Sequence, residues 1–403
     1  MKSSSSHIPR FYEALLAERL GTERQMAFVS GPRQVGKTTI GRALAQASYS
    51  WENATFKRAV LAGPDAVAQL AGVNLLSATR PILLFDEIHK FTRWKTFMKG
   101  FFDEYGEKAG LIVTGSARMD LYRRGGDSLM GRYFPYRVHP LGVGELLHPA
   151  VRAGETIPPA ALPDTEWDAL LRFGGFPEPF SRRDPSFARR WRRLRDEQLF
   201  REDIRDLTRV MDVEQMRHLA LLLAERSGQP LVAASLARDI QVSEPTVKKW
   251  VATLNAFYYG FCVRPWHRNI ENALRKTPKW YLRDWSGIED EGQRNETLVA
   301  CHLLKAVEAW TDLGFGTYEL FYLRDKQKRE VDFLVAKDGK PWFVAECKTS
   351  DTSLSQALSS MQSAAGAKHA FQIVITLPYV EADCFQHVRP VVVPARTFLS
   401  QLP

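Results

Sequence analysis

The sequence predicts an α/β multidomain chain, and three observations carry that expectation. Residues 31–39 read Gly-Pro-Arg-Gln-Val-Gly-Lys-Thr-Thr, between an apolar run and a helix-compatible segment. A second apolar run, Pro81 to Phe85, ends in Asp86 and Glu87. In the C-terminal third, Glu330-Val331-Asp332 and Glu346-Cys347-Lys348 sit on two consecutive strand-like stretches. Alternation of strands with helices at both ends, around a helical middle, is the pattern of α/β domains joined by a helical block.

The first stretch has the order strand, glycine loop, helix. Met26-Ala27-Phe28-Val29 supplies the strand and Thr39 to Ala45 the helix, which is the setting a Walker A phosphate cradle requires. Gly31 and Gly36 allow backbone angles and close approach that a Cβ would forbid. Between them Pro32, Arg33, Gln34 and Val35 complete the loop, whose N–H groups, with the helix start through Thr39, face the phosphates. Lys37 is expected to reach the β- and γ-phosphates, and the Thr38 hydroxyl to ligate Mg²⁺. ATP and Mg²⁺ are therefore the expected cofactors. The run ending in Asp86-Glu87 suits a buried parallel strand whose acids emerge at the ligand-binding edge. Asp86 is placed to hold Mg²⁺ through water and Glu87 to polarise the attacking water. A third strand, Gly110 to Ser116, ends in hydroxyls, so Thr114 or Ser116 is expected to sense the γ-phosphate or orient the water.

Composition bounds the rest. At 403 residues, 45% hydrophobic and 25% charged, the chain has the make-up of a soluble globular protein of two to four domains. No apolar run approaches the roughly 20 residues a membrane span needs. The segment Met1 to His7 lacks the apolar core of a secretory signal. Four cysteines, Cys262, Cys301, Cys347 and Cys384, lie far apart, which argues against a zinc site and fits a reducing compartment. A cytoplasmic protein without a membrane partner is expected. The net charge of +9 is uneven: residues 181–280 hold 20 Lys and Arg against 12 Asp and Glu. Within them Arg182 to Arg195 interleaves arginines with Phe187 and Trp191, which suits phosphate backbones and base stacking. A charged helix face explains the same run.

Four blocks follow: 1–150 as a P-loop core, 164–210 as a helical lid, 211–275 as a winged helix-turn-helix, and 280–403 as a second α/β domain. The first opens on a helix, Phe11 to Leu20, and is expected to close with Gly142 to Leu146. Pro149 to Pro163 reads as a linker. In the third, Val213 to Glu225 and Ala233 to Ile240 form the first two helices, and Ser243 caps the third with Pro245 in its first turn. Val247, Val251 and Leu254 face inward, while Lys248 and Lys249 face outward. Tyr258 to Val263 and Lys279 to Leu282 are expected as the strands of a wing bearing Arg264, Trp266, His267 and Arg268. Such a unit reads DNA with its third helix or serves as a packing module.

In the last block, period-2 alternation puts Asp332, Glu346 and Lys348 on one face of a hairpin. The two carboxylates are expected to hold a divalent ion, Lys348 to favour hydroxide near a phosphodiester, and Glu296 to complete the acid set. An exposed hairpin with ordinary surface charges is the alternative.

Together these motifs resemble prokaryotic AAA+-type ATPases that carry a C-terminal domain of unknown function with a PD-(D/E)xK nuclease-like fold. The marks are the 31–39 loop, Leu84 to Lys90, Thr114 to Ser116, Ser128 to Arg132, Gly174 to Glu178, Arg294-Asn295-Glu296 and the final carboxylate pair. The resemblance implies ATP hydrolysis, a homo-oligomer, and Arg132 as an arginine finger in trans or in cis, with Arg118 as a rival. It implies that Pro177, in Gly175-Phe176-Pro177, packs against the adenine. It also implies a nuclease-like fold for the C-terminal domain, with Asp332, Glu346 and Lys348 as its catalytic set. Ala117 stands where a second serine is common, and Val331 where the motif has proline. Two functions follow. One is an ATP-driven protein acting on DNA, branched or single-stranded forms included, with a metal-dependent nuclease domain. The other is a regulatory or defence-signalling ATPase whose C-terminal domain binds DNA or a protein without cleavage.

Overall fold

A computed structural model describes residues 8–75, 80–115, 129–150, 154–204, 212–266, 277–325, 327 and 329–403. The chain divides into two compact units, residues 1–139 with 149–151, and residues 140–148 with 152–403.

In the first unit, five strands form a parallel sheet: β1 Met26–Ser30, β2 Ala47–Ser50, β3 Ile82–Asp86, β4 Gly110–Thr114 and β5 Tyr133–Arg137. Their order is β2-β3-β4-β1-β5. The strands β1 and β4 are buried along their whole length, which is why both read as unbroken apolar runs and not as alternating ones. The helix Trp94–Tyr105 packs Phe97, Met98, Phe101 and Phe102 into a core with Phe85, Leu83 and Val113. Each fully buried side chain of this size contributes roughly 1.5–3 kcal/mol. Parallel strands align the carboxyl ends of β1, β3 and β4 on one edge, and the glycine loop and both acids emerge there.

The second unit holds a mixed seven-stranded sheet. Its strands are β6 Gly260–Pro265, β7 Lys279–Leu282, β8 Tyr318–Arg324, β9 Glu330–Lys337, β10 Lys340–Lys348, β11 His369–Val374 and β12 Val391–Pro394, in the order β12-β11-β10-β9-β8-β6-β7. The hairpin β9–β10 turns at Asp338 and Gly339, both at positive φ (49° and 73°), the geometry of a tight hairpin turn. Three helices, Val213–Glu225, Ala233–Asp239 and Glu244–Ala256, follow the expected helix-turn-helix order. Ser243 caps the third by accepting from the Thr246 N–H at 3.2 Å, and Val247, Val251 and Leu254 are buried. Lys248 and Lys249 are exposed.

Two segments are held by residues far from them in the sequence. The strands assigned to a free wing, β6 and β7, do pair with each other, but β6 also pairs in parallel with β8 (Arg264 with Phe321, Pro265 with Tyr322). The Trp266 N–H continues that ladder onto the Tyr322 carbonyl at 2.7 Å. The hairpin is therefore the edge of the C-terminal sheet. His267 and Arg268 lie outside the described residues. The segment 140–148, expected to close the P-loop core, belongs to the second unit. Its short helix Val143–Leu147 buries Glu145 against Lys305 at 2.5 Å. Gly144 lies so close to the Leu402 carbonyl that a Cβ would sit 1.7 Å from that oxygen. Such a fully paired buried ion pair fixes the segment where it lies, since removing either partner would strand the other charge.

Candidate functional site

The P-loop leaves β1 at Ser30 and turns on three residues with positive φ, Gly31 (149°), Gln34 (61°) and Gly36 (103°). A Cβ at Gly31 would stand 2.3 Å from the Val138 carbonyl oxygen, so glycine is demanded by space as well as by angle. Val35 is fully buried and pins the loop from below, while Gln34 and Thr39 are exposed and Arg33 is half-buried. The helix Lys37–Leu44 begins directly after Gly36. Lys37 is buried, and its Nζ donates to the carbonyls of Gly31 at 2.9 Å and Pro32 at 2.6 Å, which folds the ammonium into the cradle. One residue that sequence reasoning missed supports this loop. The Arg10 guanidinium donates to the Val35 carbonyl at 2.7 Å and the His139 carbonyl at 2.6 Å. An isolated arginine ahead of a helix carries no sequence signal for such a brace.

Beside the loop, Asp86 ends β3 and is nearly fully buried. Its Oδ1 accepts from the Thr38 hydroxyl at 3.0 Å and from the Thr114 hydroxyl at 2.5 Å. Two hydroxyls and one carboxylate at the mouth of a P-loop form a hard-oxygen set that fits Mg²⁺. Of the two hydroxyls proposed to read the γ-phosphate, Thr114 is thus at the site, and Ser116 lies outside the described residues. Glu87 follows at φ 58°, a left-handed conformation that turns its side chain out of the strand. Its Oε2 lies 3.6 Å from Lys90 Nζ and 3.7 Å from His89 Nε2. Lys90 also binds Glu52 at 2.6 Å.

Arg132 sits elsewhere. It precedes β5, whose first residue is in register with the first residue of β1, and its carbonyl accepts from the Met26 N–H at 2.9 Å. That is the edge of the sheet opposite the P-loop. Its guanidinium is held in two bonds to Asp103, at 2.7 and 3.1 Å. Parallel strands set the two ends a strand's length apart, so Arg132 stands away from the P-loop of its own chain. Arg118 lies outside the described residues.

In the second unit the expected nuclease-like acids do come together. Cys347 N–H donates to Asp332 Oδ2 at 2.9 Å, and Glu346 Oε1 pairs with Lys348 at 2.7 Å. The helix Glu291–Asp312 supplies Glu296. What fills the space between them was not expected. Lys279 of β7, only 3% exposed, places its Nζ 2.6 Å from Glu330, 3.1 Å from Glu296 and 3.5 Å from Asp332. The Tyr281 hydroxyl donates to Glu296 at 2.7 Å. Burial opposes the Lys279 charge, yet Glu296, Asp332 and Glu330 together hold its pKa above the ordinary range. Burial, aided by the charge of Glu296, pushes the Asp332 carboxyl up to about 7, against Lys279 and the Cys347 N–H. Among the described residues no group of three or more His, Cys, Asp or Glu is arranged to hold a metal ion. Of the three acids expected to hold a divalent ion, Glu296 and Asp332 thus face the Lys279 ammonium, and Glu346 faces Lys348. Period-2 spacing placed Lys279 and Tyr281 on one face, the only sequence signal for this.

The basic run also divides. In the helix Pro185–Gln198, Trp191 is buried, Arg192 donates to Ser286 at 3.0 Å, and Arg195 binds Asp284 at 2.9 Å. Trp191 is therefore core and no stacking platform, while Arg189, Arg190 and Arg193 stay exposed. Pro177 opens the helix Pro177–Arg182 in the second unit.

Residues 23–147 match the family model described as "AAA domain". Two further stretches match models described as "Domain of unknown function (DUF8612)", residues 164–288, and "Domain of unknown function (DUF4143)", residues 291–391. Outside the AAA segment as well as within it, the chain is similar to "Uncharacterized protein Rv2008c" of Mycobacterium tuberculosis and "Uncharacterized protein Mb2031c" of Mycobacterium bovis. Each is 26% identical over 348 residues, covering 83% of this chain and 73% of the relative. Among solved structures, AMPPCP-bound DnaA from Aquifex aeolicus aligns at 14% identity and TM-score 0.31, over 62% of this chain and 88% of that one. PCH-2 of C. elegans aligns at 15% identity and TM-score 0.26, over 60% and 67%. No described helix is long and apolar enough to cross a membrane.

Proposed function

We propose that this chain is an ATP-hydrolysing AAA-type protein that acts on DNA as a regulatory ATPase, with a nuclease-like C-terminal domain that binds without cutting. The observation that carries the ATPase reading is the convergence of Thr38 and Thr114 on Asp86 beside a fully formed P-loop. Loop N–H groups and Lys37 would cradle the phosphates, with Lys37 exchanging its two loop carbonyls for phosphate oxygens. Thr38 and Asp86 would hold Mg²⁺, which when bound neutralises charge on the β- and γ-phosphates. Glu87 would orient the attacking water and accept its proton, and Lys90 and His89 hold that carboxylate in place beforehand. Arg132 would serve in trans within a homo-oligomer, on exchanging Asp103 for a neighbour's nucleotide.

The DNA reading is supported by Lys248 and Lys249 on the third helix of the helix-turn-helix and by exposed Arg189, Arg190 and Arg193. These are phosphate-binding chemistry without base specificity. The non-cutting reading is supported by the lysine that fills the acid set. ATP turnover measured with and without single-stranded, duplex and branched DNA tests the whole. Turnover is expected in the wild type, to change with at least one DNA form, and to vanish in Lys37→Ala. Turnover indifferent to every DNA would remove DNA from the reading and leave the ATPase.

A further inference from the structure

We propose that Lys279 is a built-in cation that keeps the C-terminal acid set closed to divalent metal, so that the set is latent and becomes a metal site only when this ammonium is removed. The inference deepens the non-cutting reading, and it is tested by metal binding and not by cleavage, so the two can fail separately.

Three observations converge. The first is occupancy: a buried ammonium stands within 3.5 Å of three carboxylates, from β9 (Glu330, Asp332) and from the helix Glu291–Asp312 (Glu296). A divalent ion would draw on the same oxygens, and two cations cannot share them at that range. The second is an acid left over. Glu346 is 8% exposed, gives Oε1 to Lys348, and leaves Oε2 buried with no hydrogen-bond partner among the described residues. A buried carboxylate oxygen without a donor is costly, and a cation bound nearby would satisfy it. The third is where the lysine comes from. Lys279 is the first residue of β7, which pairs with β6 on one side and on the other bonds residues 228–231, where the Gly228 N–H donates to the Trp280 carbonyl at 2.7 Å, the Trp280 N–H to the Gln229 carbonyl at 3.1 Å and the Leu231 N–H to the Pro278 carbonyl at 2.8 Å. Backbone bonds on both sides hold the strand, and with it the ammonium, in place among the acids.

The experiment uses the full chain without nucleotide, in an Asp86→Asn background that removes the P-loop carboxylate, with Mn²⁺ binding read by loss of the free-ion electron paramagnetic resonance signal. The background protein is expected to show no Mn²⁺ site that depends on Asp332. Adding Lys279→Met is expected to create one, tightening apparent Mn²⁺ affinity by at least about tenfold, and adding Asp332→Asn to that is expected to abolish it. If the methionine variant does not fold in chelator, recovery of its circular dichroism on adding Mn²⁺ is the same gain. Two results overturn the proposal. One is an Asp332-dependent Mn²⁺ site already present with Lys279 in place. The other is a Lys279→Met protein that neither binds Mn²⁺ when folded nor recovers its fold with it.

Discussion

Two carboxylate sites in this chain began as the same kind of sequence signal, acids next to apolar strand residues, and they ended as opposites. At Asp86 the neighbours are hydroxyls, Thr38 and Thr114, which can share a cation with the acid. At Asp332 the neighbour is Lys279, which is a cation already. The difference teaches that the number and spacing of acids do not define a metal site. What defines it is the group that the rest of the fold sets opposite them. The two lysines make the same point. Lys37 donates to two neutral carbonyls, whereas Lys279 stands among three carboxylates.

The largest effect that would sharpen this contrast is at Glu87. Glu87→Gln is expected to leave nucleotide binding intact and to lower ATP turnover by roughly 10²–10⁴-fold, the range for loss of a general base. Wild-type turnover in that variant would mean the acid after β3 is no more a working catalyst than those on β9.

Next comes Gly31. In Gly31→Ala a methyl group meets the Val138 carbonyl oxygen at 2.3 Å, at a φ of 149° that alanine rarely adopts. A loss of roughly 1–3 kcal/mol in urea unfolding of the first unit is expected, with nucleotide affinity falling alongside. Unchanged stability and affinity would show that the loop relaxes more freely than its packing allows.

A pH series separates the two acid sites. Because the folded-state pKa of Asp332 is raised to about 7, its contribution to stability is full below its unfolded value near 3.8 and is lost as pH rises through about 7. Asp332→Asn does not titrate. The stability of the variant relative to wild type is therefore expected to improve between pH 5.5 and pH 8, measured by chemical denaturation at each pH. A difference that stays constant, or moves the other way, would mean that Lys279 keeps Asp332 ionised throughout.

The smallest effect per residue is on the surface. Replacing Arg189, Arg190 and Arg193 with alanine is expected to weaken DNA binding evenly across sequences. The slope of log affinity against log salt should flatten by about 2–3 for three lost phosphate contacts. Arg192 and Arg195 are left alone, since they bind Ser286 and Asp284 inside the unit. An unchanged slope would return the helix to a solvated face.

Local patterns determined a good deal on their own. The glycine loop, the Walker strands, the Asp338-Gly339 hairpin and the capped third helix are all written in short stretches. Backbone angle, strand burial and capping depend on residues a few positions apart, and a reader of the sequence sees those together. Tertiary structure decided the rest. The β6–β7 hairpin reads as a wing because its own pairing is local, but its attachment to β8 joins residues more than fifty positions apart. Residues 140–148 read as the end of the P-loop core because they follow it, while the Glu145–Lys305 pair spans 160 positions. Arg10 beneath the P-loop and Lys279 among the acids are of the same kind. Sequence spacing says which face of a strand a charge takes, but the free energy of a charge is set by whatever comes to lie across from it, and only the folded chain brings that partner.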